Sequence, residues 1–184
     1  MDGCPTVAGN TLWFCSVRVD NHRSIDIWIA DISNGKWENI RNAGKELNVT
    51  IGVGEMHINP EGTRIIFHND MLEGKGKSDL WMTEWIDGKW TQPVNLEKVN
   101  TEEDDSRPFV TYDGKELWFT RPYLGSPAIY RSLWENDGWG EPQLIISQFA
   151  GEPTLDQYGN IYFVHHFIEE GAIKDADIYI AYKK

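Results

Sequence analysis

Hydrophobic residues in this chain come in short runs bounded by Gly, Asn, Asp and Pro, and no window keeps a helical period for three turns. The runs are rich in β-branched and aromatic residues, which predicts strands. They also repeat. One series reads Leu12-Trp13-Phe14, Ile65-Ile66-Phe67, Leu117-Trp118-Phe119 and Ile161-Tyr162-Phe163. A second reads Asp26-Ile27-Trp28-Ile29, Asp79-Leu80-Trp81-Met82, Ala128-Ile129-Tyr130-Arg131 and Asp177-Ile178-Tyr179-Ile180. A third places Trp37, Trp90 and Trp139 just after Asn-Gly or Asp-Gly turns. Three landmarks in constant order, about every 50 residues, mark an internal repeat.

Each unit reads as four short strands. The first is Pro5 to Ala8, Met56 to Asn59, Pro108 to Tyr112 or Pro153 to Asp156, and a tight turn containing Gly follows it. The second strand carries the recurring Phe and the third the recurring Trp or Tyr. The fourth follows the Asn-Gly or Asp-Gly turn, with Pro93 and Pro142 suited to an edge. Four-stranded units at this period predict an all-β chain folded as a β-propeller of about four blades. A β-sandwich also has many short strands but has no reason to keep aromatics in phase. The repeats run over about residues 4–44, 55–97, 107–146 and 152–182 of a single domain, 1–184. The last unit ends without its Trp-containing strand, so a three-stranded final blade is expected.

Charge narrows the partners. With 17 basic and 29 acidic residues the formal net charge is −12, which argues against nucleic acid and against an anionic membrane surface. A chain 40% hydrophobic with nine Trp is not a disordered one. No apolar run approaches the length of a transmembrane helix. The N-terminus, Met1-Asp2-Gly3-Cys4-Pro5, carries no signal peptide. A cytoplasmic location follows if residue 1 is the true start, and a periplasmic or secreted one if a signal has been removed.

Two stretches carry a resemblance. Asn59-Pro60-Glu61-Gly62-Thr63-Arg64-Ile65-Ile66-Phe67 followed by Asp79-Leu80-Trp81, and Thr111-Tyr112-Asp113-Gly114-Lys115-Glu116-Leu117-Trp118-Phe119-Thr120, resemble the TolB-like β-propeller repeat, a relative of the WD repeat. The tail Gly138-Trp139-Gly140-Glu141-Pro142-Gln143-Leu144 is similar to fourth strands common in such proteins. The chain departs at Ala128, where the strand-opening Asp is missing, and at the worn turn Ala8-Gly9-Asn10. The resemblance implies a scaffold that binds proteins or ligands and has no shared catalytic set.

In a propeller the first strand of each blade lines the central channel. Long polar connections are expected on one face: Ser16 to Ile25, His68 to Ser78, Arg121 to Pro127 and His165 to Ala176 within blades, and Arg41 to Gly54, Glu97 to Ser106 and Ile145 to Ala150 between them. Binding surfaces concentrate on such loops. By repeat phase, Cys4, Glu55, Arg107 and Glu152 ring the channel mouth there. Glu55, Arg107 and Glu152, with His57, Arg121 and His165, form the candidate ligand-binding set. Either they hold a polar small ligand, or Arg107 pairs with the carboxylates and stabilises the channel.

The other chemistry is thinner. All five histidines, His22, His57, His68, His165 and His166, fall on the long-loop face without metal-ligand spacing, so neither a metal nor a cofactor is expected. Asp26, Asp79 and Asp177 open third strands and are read as loop-fixing acceptors of backbone N–H groups. Glu102-Glu103-Asp104-Asp105 lacks the ligand pattern of a calcium loop. Cys4 and Cys15 fall opposite each other across the first hairpin and are open to a cross-strand disulfide or to a reduced pair. Trp85 and Trp134 suit packing across blades better than sugar stacking.

The leading expectation is a non-catalytic module that binds a protein or a polar small ligand, carbohydrate among them. A carbohydrate-acting enzyme using Glu55 and Glu152 is the alternative, although no sialidase-type aspartate box is present. A piece of a larger propeller, or an oligomer-building unit, is the third.

Overall fold

The computed structural model describes residues 2–170 and 172–184. The first blade is β1 (Asp2–Ala8), β2 (Thr11–Ser16), β3 (Asp26–Ser33) and β4 (Lys36–Asn42). The second is β5 (Met56–Ile58), β6 (Arg64–Asn69), β7 (Asp79–Ile86) and an outer strand in two pieces, β8 (Lys89–Trp90) and β9 (Val94–Asn95). The third repeats this plan with β10 (Ser106–Val110), β11 (Glu116–Tyr123), β12 (Ser126–Glu135), β13 (Gly138–Trp139) and β14 (Gln143–Ile146). The fourth has only β15 (Ala150–Leu155), β16 (Ile161–Glu169) and β17 (Ala172–Ala181). Each is an antiparallel meander, so the molecule is a four-bladed β-propeller with a three-stranded last blade.

The split outer strands follow from Pro93 and Pro142, which carry no N–H for the ladder. The gaps are bridged by side chains. Thr83 Oγ1 donates to the Thr91 carbonyl at 2.8 Å, and Ser132 Oγ donates to the Gly140 carbonyl at 2.6 Å. β4 has no proline and runs unbroken.

Neighbouring blades pack face to face through the recurring apolar positions. Trp13, Cys15 and Ile27 of the first blade meet Met56, Ile65 and Phe67 of the second. Ile66 and Leu80 meet Leu117 and Phe119 at the next junction. Trp118 and Ile129 then meet Ala150, Ile161 and Phe163. Among the described residues, no strand of the first blade packs along a strand of the fourth.

Three expected loops differ. β11 and β12 pair out to Tyr123 and Ser126, leaving a two-residue turn of Leu124 and Gly125, both at positive φ (51° and 80°), as a tight hairpin requires. The segment from His165 to Ala176 is likewise hairpin rather than loop. β16 and β17 stay paired out to Glu169 and Ala172. The Arg41 to Gly54 connection contains a six-residue helix, Glu46–Ile51, too short to leave a periodic signal. It tucks Leu47 and Ile51 under the junction of the first two blades and ends on left-handed Gly52 (φ 71°). Long connections within a blade are therefore confined to the first two blades.

Candidate functional site

The channel mouth is shaped by a recurring bulge. In β1, β10 and β15 the pairing with the next strand slips by one residue, between Gly3 and Thr6, Ser106 and Phe109, and Gly151 and Thr154. The slipped residues Cys4, Arg107 and Glu152 have φ of 52°, 53° and 55°, and each precedes a proline. Proline leaves the ladder without a donor there, and the bulge absorbs the gap while re-aiming the preceding side chain. The second blade has Met56 in the proline position, and its β5 pairs without a slip. The mouth residues predicted from repeat phase are thus the ones the backbone turns out of the sheet in three blades.

Glu55, Arg107 and Glu152 do converge. Arg107 Nε lies 3.9 Å from Glu55 Oε2 and 3.5 Å from Glu152 Oε1, so the two carboxylates are no further apart than those contacts laid end to end. His68 joins them, with Nδ1 3.7 Å from Glu55 Oε2. Burial of this imidazole pushes its pKa down, against the pull of Glu55. Arg107 Nη1 also donates to Ser106 Oγ at 3.0 Å.

Beside this cluster opens a cavity of about 340 Å³ on the long-loop face, lined by Arg23, Gly52, Gly54, His68, Asn69, Asp70, Met71, Lys77, Ser78, Asp104, Ser106 and Arg107. Its walls are fixed by backbone bonds. Asp26 accepts the His22 and Arg23 N–H groups at 2.7 and 3.1 Å, and Asp79 accepts those of Lys75 and Gly76 at 2.7 and 2.9 Å. Both aspartates therefore fix loops, as the repeat suggested. The acidic run is strapped down as well. Lys77 N–H donates to the Glu103 carbonyl at 3.2 Å, and Asp105 N–H to that of Ser78 at 2.9 Å. Gly54 has no room for a Cβ, because the His68 carbonyl oxygen occupies that space.

Two features set the cavity apart. His68 Nδ1 and Ser78 Oγ are buried polar atoms with no hydrogen-bond partner, and Ser78 is only 7% exposed. Of the seven arginines, Arg23 alone has no carboxylate partner among the described residues. Its guanidinium reaches only the Asn48 carbonyl (3.4 Å) and Met71 Sδ (3.5 Å). Three cations (Arg23, Lys77 and Arg107) and two acids (Asp70 and Asp104) line the cavity, and Arg107 is held by Glu55 and Glu152. Arg23, Lys77 and Ser78 were not singled out from sequence; Arg23 carries no motif, and its lack of a partner is visible only in three dimensions.

The other nominated residues lie elsewhere. His57 Nδ1 accepts the Val110 N–H at 3.3 Å, and the ring packs 4.6 Å from Phe109. Burial lowers its pKa to about 4. Arg121 is buried, donates to Asp105 Oδ1 at 2.6 Å and to the Val99 carbonyl, and stacks on Phe119 and Tyr130. His165 packs on Tyr179 at 4.9 Å. Cys4 and Cys15 are free thiols, and the bulge puts Gly3 opposite Cys15. Hydrogen bonding to Cys15 and burial push the Cys4 thiol up, away from the nucleophilic form. Trp85 and Trp134 pack on Trp90 and Trp139, and Arg64 of the second blade stacks on Trp134 of the third. Among the described residues no group of three or more His, Cys, Asp or Glu is arranged to hold a metal ion, and no helix is long and apolar enough to cross a membrane.

No family model and no curated protein matches the sequence. Solved structures do match. TolB from Acinetobacter baumannii superposes with a TM-score of 0.58 at 19% identity, over 96% of this chain and 39% of that one. A putative TolB from Agrobacterium tumefaciens gives 0.52 at 13% identity, over 98% and 76%. The fold is that of a TolB-like β-propeller. The catalytic domain of a Coprinopsis cinerea GH62 α-L-arabinofuranosidase also matches, with 0.54 at 10% identity, over 97% and 62%. The chain thus spans well under half of the A. baumannii structure, and identities this low carry the fold alone. An enzyme domain is among these neighbours, and the fold alone assigns no function to this chain.

Proposed function

We propose that this propeller is a non-catalytic binding module that takes a small, polar, anionic ligand in the cavity beside its channel mouth. The observation that supports this most is Arg23, a half-buried cation that lines the cavity with no carboxylate partner among the described residues. A ligand carboxylate or phosphate supplies the missing partner for the guanidinium. Hydrolysis of a glycoside asks for two carboxylates in unlike environments, one holding a proton. Glu55 and Glu152 instead share one guanidinium.

Thermal unfolding in the presence of citrate, inorganic phosphate or maltose tests the reading. An anion at roughly 100 times its Kd stabilises the fold by about 2.7 kcal/mol, while the neutral sugar leaves it unchanged. Arg23→Gln removes the anion's effect without lowering the Tm of the free protein. No response to any anion, or an equal response in Arg23→Gln, rejects the site.

A further inference from the structure

The two ends of the blade array carry matching half-junctions. Ile27, Leu80 and Ile129 hold one position of the repeat, facing the next blade, and are 1%, 0% and 0% exposed. The fourth blade has Ile178 at that position, paired with Val164 across the sheet as Ile27 is with Cys15 and Ile129 with Thr120, yet it is 76% exposed. Ile180 on the same face is 41% exposed. This face is dressed for a following blade, and the described residues provide none.

The opposite end carries the complementary half. At the junction of the second and third blades, Arg121 pairs with Asp105, stacks on Phe119 and Tyr130, and donates to the carbonyl of Val99 in the segment leaving the preceding blade. The first blade repeats this set with Phe14 and Trp28 buried (7% exposed each) but with its ion pair open to solvent. Arg18 pairs with Asp2 at 3.3 Å and stacks on Phe14 (5.5 Å) and Trp28 (5.2 Å), the repeat positions of Phe119 and Tyr130. The Arg121 and Asp105 side chains are 10% and 0% exposed, whereas those of Arg18 and Asp2 are 35% and 60% exposed. Arg18 lacks the contact from a preceding blade.

We infer that the outer face of the fourth blade docks the first blade of a second copy of this chain, head to tail, in continuation of the junctions inside the chain. The interface is heterologous: each copy offers one face of each kind, and the geometry of successive junctions sets whether the assembly closes into a ring.

Size-exclusion chromatography with light scattering tests this. The wild-type chain is expected at multiples of 21.2 kDa, growing with concentration. Ile178→Asp and Arg18→Glu each return the mass to 21.2 kDa, and circular dichroism of each variant matches wild type, showing that the single copy keeps its fold. Mixing the two variants restores a dimer and nothing larger, since each keeps the face the other has lost. Ile180→Asp serves as a second variant of the docking face. A wild-type chain that stays at 21.2 kDa at every concentration overturns the inference and leaves the face to further blades of a longer chain. Dimers that persist in Arg18→Glu but not in Ile178→Asp overturn it in favour of self-pairing of the fourth blade.

Discussion

Ile129 and Ile178 occupy the same place in the repeat, on the third strand of successive blades, and their surroundings could hardly differ more. Ile129 is shut between the third and fourth blades, while Ile178 stands in solvent. The arginine–aspartate pairs make the same contrast at the front faces, with Arg121 and Asp105 buried and Arg18 and Asp2 wet. A repeat writes the same residues into each unit, but the neighbouring blade decides what they are worth. Burial raises both the apolar gain and the cost of leaving a charge alone.

The ion pairs separate the two environments most widely. Burial pushes the Asp105 carboxyl pKa up against the hold of Arg121, so Arg121→Met strands a buried acid and is expected to cost about 3–5 kcal/mol. Arg18→Met, at the wet copy of the pair, is expected to cost at most about 1 kcal/mol. Urea unfolding of both variants measures the gap; similar values would mean that the first blade's front face is as well covered as the inner junction.

Truncating the isoleucines comes next. Ile129→Ala is expected to cost about 2–4 kcal/mol through lost burial and a cavity. Ile178→Ala, measured on dilute protein, should fall within about 0.5 kcal/mol of wild type, as exposed substitutions do. A large loss at Ile178 would show that its face is covered within the single chain.

His57 gives a smaller, pH-dependent effect at a junction. Its ring sits between the second and third blades, with a folded pKa near 4 against an ordinary value of 6.5. Because the unfolded chain binds this proton more readily, the stabilisation is complete above about pH 6.5 and fades as pH falls toward 4, a loss of up to about 3 kcal/mol. His57→Gln should flatten that limb of the stability curve.

The blades were legible because aromatic and β-branched residues recur in phase and Gly turns punctuate them. The mouth cluster was legible for the same reason, since the phase alone brings Glu55, Arg107 and Glu152 together. Phase did not reveal the bulge at Cys4-Pro5, Arg107-Pro108 and Glu152-Pro153, although three prolines at one repeat position were there to be read. Sequence also placed loops where the chain makes hairpins, at Arg121 to Pro127 and His165 to Ala176, because prolines, a glycine and charged residues there look like loop. Arg121 was nominated for ligand binding and lies buried at a junction; a cation's partner comes from another blade and leaves no mark beside it in sequence. Arg23 is the converse, an arginine whose missing partner only the folded chain exposes.

Hydrogen–deuterium exchange read strand by strand on dilute protein tests the contrast between sealed junctions and open last blade most directly. Amides of β12 should be protected to near the global stability, and those of β17 should exchange orders of magnitude faster. Raising the protein concentration should then slow β17 and the strands of the first blade while leaving β12 unchanged. Equal protection of β12 and β17 in the single chain would contradict the open fourth blade.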